Sequence, residues 1–153
     1  MIKKSITWGL ILFFSVIFSV NAANVSFLVI ETGHKTGNKF IEYSMMWENG
    51  LLDVFYDMGY IVSNAPILHI PVKPEKSFPD EAKTDFEIAK SGGMNYFLIA
   101  IVEQQNVSLR MFDISNEKML LEQVYTKDSS STQRQELENI KNTIMNMITG
   151  LKL

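Results

Sequence analysis

The sequence predicts one α/β domain built on a single mixed sheet, and three observations carry that prediction. Two nearly continuous apolar runs, Val25 to Ile30 and Asn95 to Val102, have the composition of strands covered on both faces. Other segments place apolar residues at three- and four-residue steps, the period of an amphipathic helix. Between Met94 and Tyr125 the period changes, and strand-like runs are joined by short polar turns. The order reads strand, helix, strand, helix, strand, strand, strand, helix. Strands separated by helices pair in parallel and strands separated by tight turns pair antiparallel, so the product is one mixed sheet with helices burying its apolar faces.

The first 22 residues stand apart from this domain. Lys3 and Lys4 form a basic start, Ile6 to Val20 is an apolar run, and Val20-Asn21-Ala22 offers small residues to a signal peptidase. A spanning helix wants about 20 apolar residues, and this run is shorter. A signal peptide over 1–22 with the cut after Ala22 is therefore expected. Residues 23–153 then form the single domain, with no membrane insertion after cleavage and a periplasmic or secreted location.

Val25 to Ile30 opens the domain as a central strand. Glu31 to Asn38 is a loop, and Asn38 or Thr36 is placed to cap the helix that follows over about 39–58. Phe40, Tyr43, Trp47, Leu51, Val54, Phe55 and Met58 give that helix its apolar face. Gly50 sits inside it, where glycine costs up to about 1 kcal/mol relative to alanine, a sign of close packing against the sheet. Gly59 ends it.

Tyr60 to Ser63 is a short second strand. Pro66, Pro71, Pro74 and Pro79 then mark a crossover loop, because proline cannot continue a central ladder; Ile67 to Ile70 has room only for an edge segment. Asp80 or Ser77 can cap a helix over about 81–91, with Ala82, Phe86 and Ala89 inward and Gly92-Gly93 as its stop. After the three-strand block, a last helix over about 133–149 carries the stripe Leu137, Ile140, Ile144, Met147, Ile148 and Leu151. Glu136, Glu138, Asn139, Lys141 and Asn142 are assigned to water.

Composition narrows the function classes. The net charge is −3, and losing Lys3 and Lys4 makes the domain more acidic. With no basic block, nucleic-acid binding is not expected, since attraction to phosphate supplies most of that affinity. There is no cysteine. That excludes a thiol nucleophile, thiolate metal ligands and the lipidated cysteine of a bacterial lipoprotein.

The central block has a resemblance. A helix ending in Gly92-Gly93 is followed by Asn95-Tyr96-Phe97-Leu98-Ile99-Ala100, then Val107-Ser108-Leu109-Arg110-Met111-Phe112-Asp113, a turn over Ile114 to Lys118, and Leu120-Leu121. This resembles the small periplasmic α/β domains of bacterial envelope proteins, which share an anticodon-binding-domain-like fold. The group includes the amino-terminal domain of the Tol-Pal propeller protein, the periplasmic domain of the curli secretion channel, and lipoprotein activators of peptidoglycan synthases. The resemblance implies an envelope location and a binding or assembly role more than catalysis, and it transfers no partner and no residue role.

The loop after the first strand is the first candidate site. Glu31, Thr32, Gly33, His34 and Lys35 lie between a central strand and a helix start, where open α/β sheets bind ligands and backbone N–H groups favour anions. The spacing is not that of a phosphate-binding P-loop. The two histidines, His34 and His69, show no ligand spacing, so no metal site is expected. No cofactor is implied and no serine sits in a Gly-x-Ser-x-Gly elbow. The second candidate is a partner surface on Trp47, Tyr56 and Phe78. The leading expectation is a non-enzymatic envelope domain that binds an envelope protein or assembles with itself. A binder of a small polar or anionic ligand at Glu31 to Asn38 comes second, and a secreted hydrolase without a motif third.

Overall fold

A computed structural model describes residues 22–33 and 38–151. The expected signal segment lies outside the described residues except for Ala22. The elements follow the expected order, with one short strand added. They are β1 (Asn24–Thr32), α1 (Asn38–Asp57), β2 (Ile61–Asn64), β3 (Leu68–Ile70), α2 (Lys83–Ser91), β4 (Tyr96–Val102), β5 (Asn106–Asp113), β6 (Lys118–Thr126) and α3 (Gln133–Leu151).

The sheet runs β2-β1-β4-β5-β6. β1 pairs in parallel with β4 on one side and with β2 and β3, end to end, on the other. β4, β5 and β6 form an antiparallel meander. The edge segment at Ile67 to Ile70 is thus a true but short strand. It resumes the edge that β2 leaves at Asn64, and the Ala65 N–H keeps contact with β1 through the Phe27 carbonyl at 3.0 Å.

Alternation sorts the strand residues onto two faces. Val25, Phe27, Val29, Leu98, Ala100, Val102, Val107, Leu109 and Met111 form a core with α1 and α3. Leu28, Ile30, Phe97, Ile99, Ile101 and Phe112 form a second core, under α2 and a short 3-10 turn at Asp80–Ala82. β1, β4 and β5 are therefore covered on both faces, which explains their unbroken apolar runs.

Several local readings are corrected. Gly50 packs against α3, not the sheet: a Cβ there would come within 2.7 Å of Ile140 Cγ2. The turn before α2 has no side-chain cap from Asp80 or Ser77; Pro79 precedes it in extended conformation. Instead Asp80 holds Lys83 at 2.7 Å and pairs with Lys76, and together they push its carboxyl down to about 2. Glu136 is buried, not solvated. Among the described residues no helix is long and apolar enough to cross a membrane.

Candidate functional site

The first candidate sits at the carboxyl end of the parallel strands. Glu31 and His69 occupy paired positions on β1 and β3. Burial leaves the Glu31 carboxylate only 4% exposed, and His69 Nδ1 meets its Oε1 at 3.1 Å. The Thr32 hydroxyl donates to the Val102 carbonyl at 3.2 Å. The Gly33 N–H donates to the Ile70 carbonyl at 3.1 Å, with φ at +110°, a backbone setting that a side chain would strain. Glu31, Thr32 and Gly33 are thus spent on holding β3 and β4 to β1. His34 and Lys35 lie outside the described residues. Among the described residues, no three His, Cys, Asp or Glu side chains gather as a metal site would need.

A second polar cluster joins both long helices to the sheet edge. Glu136, in the first turn of α3, is 3% exposed. It accepts hydrogen bonds from the Tyr43 hydroxyl on α1 at 3.0 Å and the Tyr125 hydroxyl on β6 at 3.1 Å. The positive end of the helix favours a carboxylate there. Burial, then the charge of Glu136, pushes the Tyr125 phenol up to about 12; burial raises Tyr43 as well. The Lys127 ammonium lies 4.3 Å from the centre of the Tyr43 ring. Trp47 packs edge-on against Tyr125 at 5.4 Å. Its indole N–H has no hydrogen-bond partner of normal geometry among the described residues, and its proximity offsets part of the rise of the Tyr43 phenol.

The three residues expected at a partner surface fall in three different places. Trp47 is fully buried, so that expectation is corrected: it is the centre of the core under α1. Tyr56 is 75% exposed. Phe78 is half-buried on the second face, edge-on to Phe86 and Phe112. Tyr56 belongs to a strip of α1 with Ile41, Met45 and the half-buried Leu52, spaced by four, seven and four residues along the helix. Ile41 and Met45 are 45% and 47% exposed, high for aliphatic side chains.

Arg110 was missed as a site residue. It is 6% exposed on β5, with Nε donating to Glu122 at 2.8 Å and Nη1 to the Lys76 and Ser77 carbonyls at 3.0 and 3.1 Å. The Arg110 guanidinium holds the Glu122 carboxyl below its usual range. The available signal was a charged residue between Leu109 and Met111 in a strand otherwise buried on both faces.

No family model matches the sequence, and no curated protein matches it. Solved structures do match. A single-substitution variant of PelC from Paraburkholderia phytofirmans, a dodecamer, is 16% identical; the match covers 81% of this chain and 86% of that one with a TM-score of 0.54. A PelC dodecamer from the same organism in another crystal form matches at 18% identity over 85% and 87% of the chains, with a TM-score of 0.50. TolB from Acinetobacter baumannii, one of the envelope proteins in the group that the sequence resembles, is 14% identical over 84% of this chain and 29% of its own, with a TM-score of 0.46. At these identities the likeness is one of fold.

Proposed function

We propose that this chain is a non-catalytic domain of the bacterial cell envelope that works by binding protein, a second copy of itself first of all, through the outer strip of α1. The observation that carries the reading is the exposure of Ile41, Met45 and Tyr56 on one side of a helix whose other side is fully buried. Aligned exposed apolar residues of this kind mark interaction surfaces. The two PelC structures, which share the fold, are both of dodecamers. The non-catalytic part of the reading has its support in the polar clusters. Glu31, Thr32, Arg110 and Glu136 each have hydrogen-bonding partners inside the fold, in arrangements that serve packing.

The test is photocrosslinking in the host cell from probes placed at positions 45 and 56, with position 138, exposed on α3, as control. The reading expects a ladder of self-crosslinked products from 45 and 56 and none from 138. Equal crosslinking from all three positions, or none from any, would contradict it.

A further inference from the structure

The second face of the sheet carries a cavity that the assembly reading does not use. Its volume is about 410 Å³, and Phe78, Phe86 and Phe112 line it together with Lys83, Glu87 and Glu117. Phe86 and Phe112 are buried, whereas the three charged residues are exposed, so the phenylalanines form the floor and the charges the rim.

The floor is held in place from outside. Phe78 stands on the proline-rich loop, next to the two carbonyls that Arg110 grips. Thus fixed, its ring meets Phe86 and Phe112 with centroids 5.2 and 5.1 Å apart and planes nearly perpendicular. Edge-to-face packing sets positive ring edges against negative ring faces, and a further ring can join on the same terms. The volume lies within the range of small-molecule sites.

One rim charge lacks an ion pair. Lys83 lies 2.7 Å from Asp80, which it shares with Lys76, and Glu117 is held by Lys90 at 2.6 Å. Glu87 makes no ion pair among the described residues, although its field reaches Lys90. One carboxylate is therefore left to face a ligand, and aromatic faces beside it also attract cations.

We infer that this cavity receives an aromatic ring that carries a positive charge, with the ring among the three phenylalanines and the ammonium towards Glu87. A free aromatic amine offers this chemistry, and so does a phenylalanine beside a lysine in a peptide. The inference is independent of self-assembly, because the cavity and the outer strip of α1 lie on opposite faces of the sheet.

The test titrates the ¹⁵N-labelled protein, as the cell produces it, with 2-phenylethylamine, with 3-phenylpropionate, and with an acetylated Gly-Phe-Lys-Gly amide. Amide shifts should cluster at Lys83, Glu87 and Glu117. The amine should bind about threefold more tightly than the carboxylate, the scale of one exposed charge pair. Glu87→Gln, a surface change that leaves folding intact, should abolish that difference while the ring still binds. Phe78→Ala should weaken both small probes by about tenfold through loss of ring contacts. Tighter binding of the peptide would identify a protein segment as the source, and tighter binding of the amine a free small molecule. No shifts at these amides, equal affinity for the two charges, or a Glu87→Gln protein that still prefers the amine would overturn the inference.

Discussion

The two faces of the sheet are covered by unequal means. One lies under α1 and α3, whose apolar stripes pack over it around Trp47, Leu51, Ile140 and Ile144. The other lies under the nine-residue α2 and a proline-rich loop, held down by Arg110 and by edge-to-face phenylalanines. Dispersion and burial seal the first face, and their strength grows with area. The second relies on a few directional contacts and leaves a cavity. One side is thus closed by broad apolar packing, and the other leaves a pocket floored by phenylalanines.

The comparison breaks first at Trp47. Trp47→Ala empties the centre of the sealed face and should cost about 3–5 kcal/mol in urea unfolding. Arg110→Met, on the other face, should cost about 2 kcal/mol, because two carbonyls lose their donor while Glu122, already 40% exposed, turns to water. A larger loss at Arg110 than at Trp47 would reverse the assignment of the two faces. Gly50→Ala should cost about 1–2 kcal/mol by crowding Ile140, even after the gain in helix propensity; a stabilised variant would show that α1 and α3 can move apart.

pH sharpens the same contrast, with opposite signs. The Tyr125 phenol is raised from 10.0 to about 12 in the folded chain. Its contribution is fully present below pH 10 and is lost as pH rises from 10 towards 12. Glu122 is lowered from 4.5 by Arg110, so its contribution is present above that value and is lost as pH falls through the folded pKa. Acid should loosen the second face and alkali the sealed one. Tyr125→Phe should reduce the alkaline loss and leave the acid limb unchanged, as read from unfolding midpoints across pH. The smallest effect belongs to Tyr56→Lys, which should change stability by less than about 0.5 kcal/mol because the side chain is three-quarters exposed.

Much of the fold was legible because it is written in local period. The doubly covered strands, the three helices and the hairpin turns all follow from spacing within short windows. Trp47 also lies on the Tyr43–Leu51 stripe at four-residue steps, so its burial was readable, and only its aromatic character argued for a surface. Glu136 is the same case: it lies four residues before Ile140 on the buried stripe, and its charge alone argued for water. Tyr43, 93 residues earlier, and Tyr125, 11 residues earlier, change that outcome, since they supply donors that make burial of a carboxylate tolerable. The Arg110 clamp was not legible in full. The strand position is visible, but its carbonyl partners lie more than thirty residues earlier, in a loop with no period. At the first candidate loop, the apolar run marked the strand only as far as Ile30, whereas β1 continues through the polar Glu31 and Thr32. That Glu31 would be paired to His69 depended on β3, legible only as an edge segment among prolines, with no local signal for its register against β1.

The account rests on the outer strip of α1 being a contact surface for another copy of the chain. The most direct measurement is sedimentation velocity of the protein as the cell produces it, beside a Met45→Glu/Tyr56→Lys variant. The account predicts an assembly larger than a monomer that the double substitution dissociates, with an unchanged circular dichroism spectrum. A monomer before substitution, or an assembly that the two charges leave intact, would contradict it.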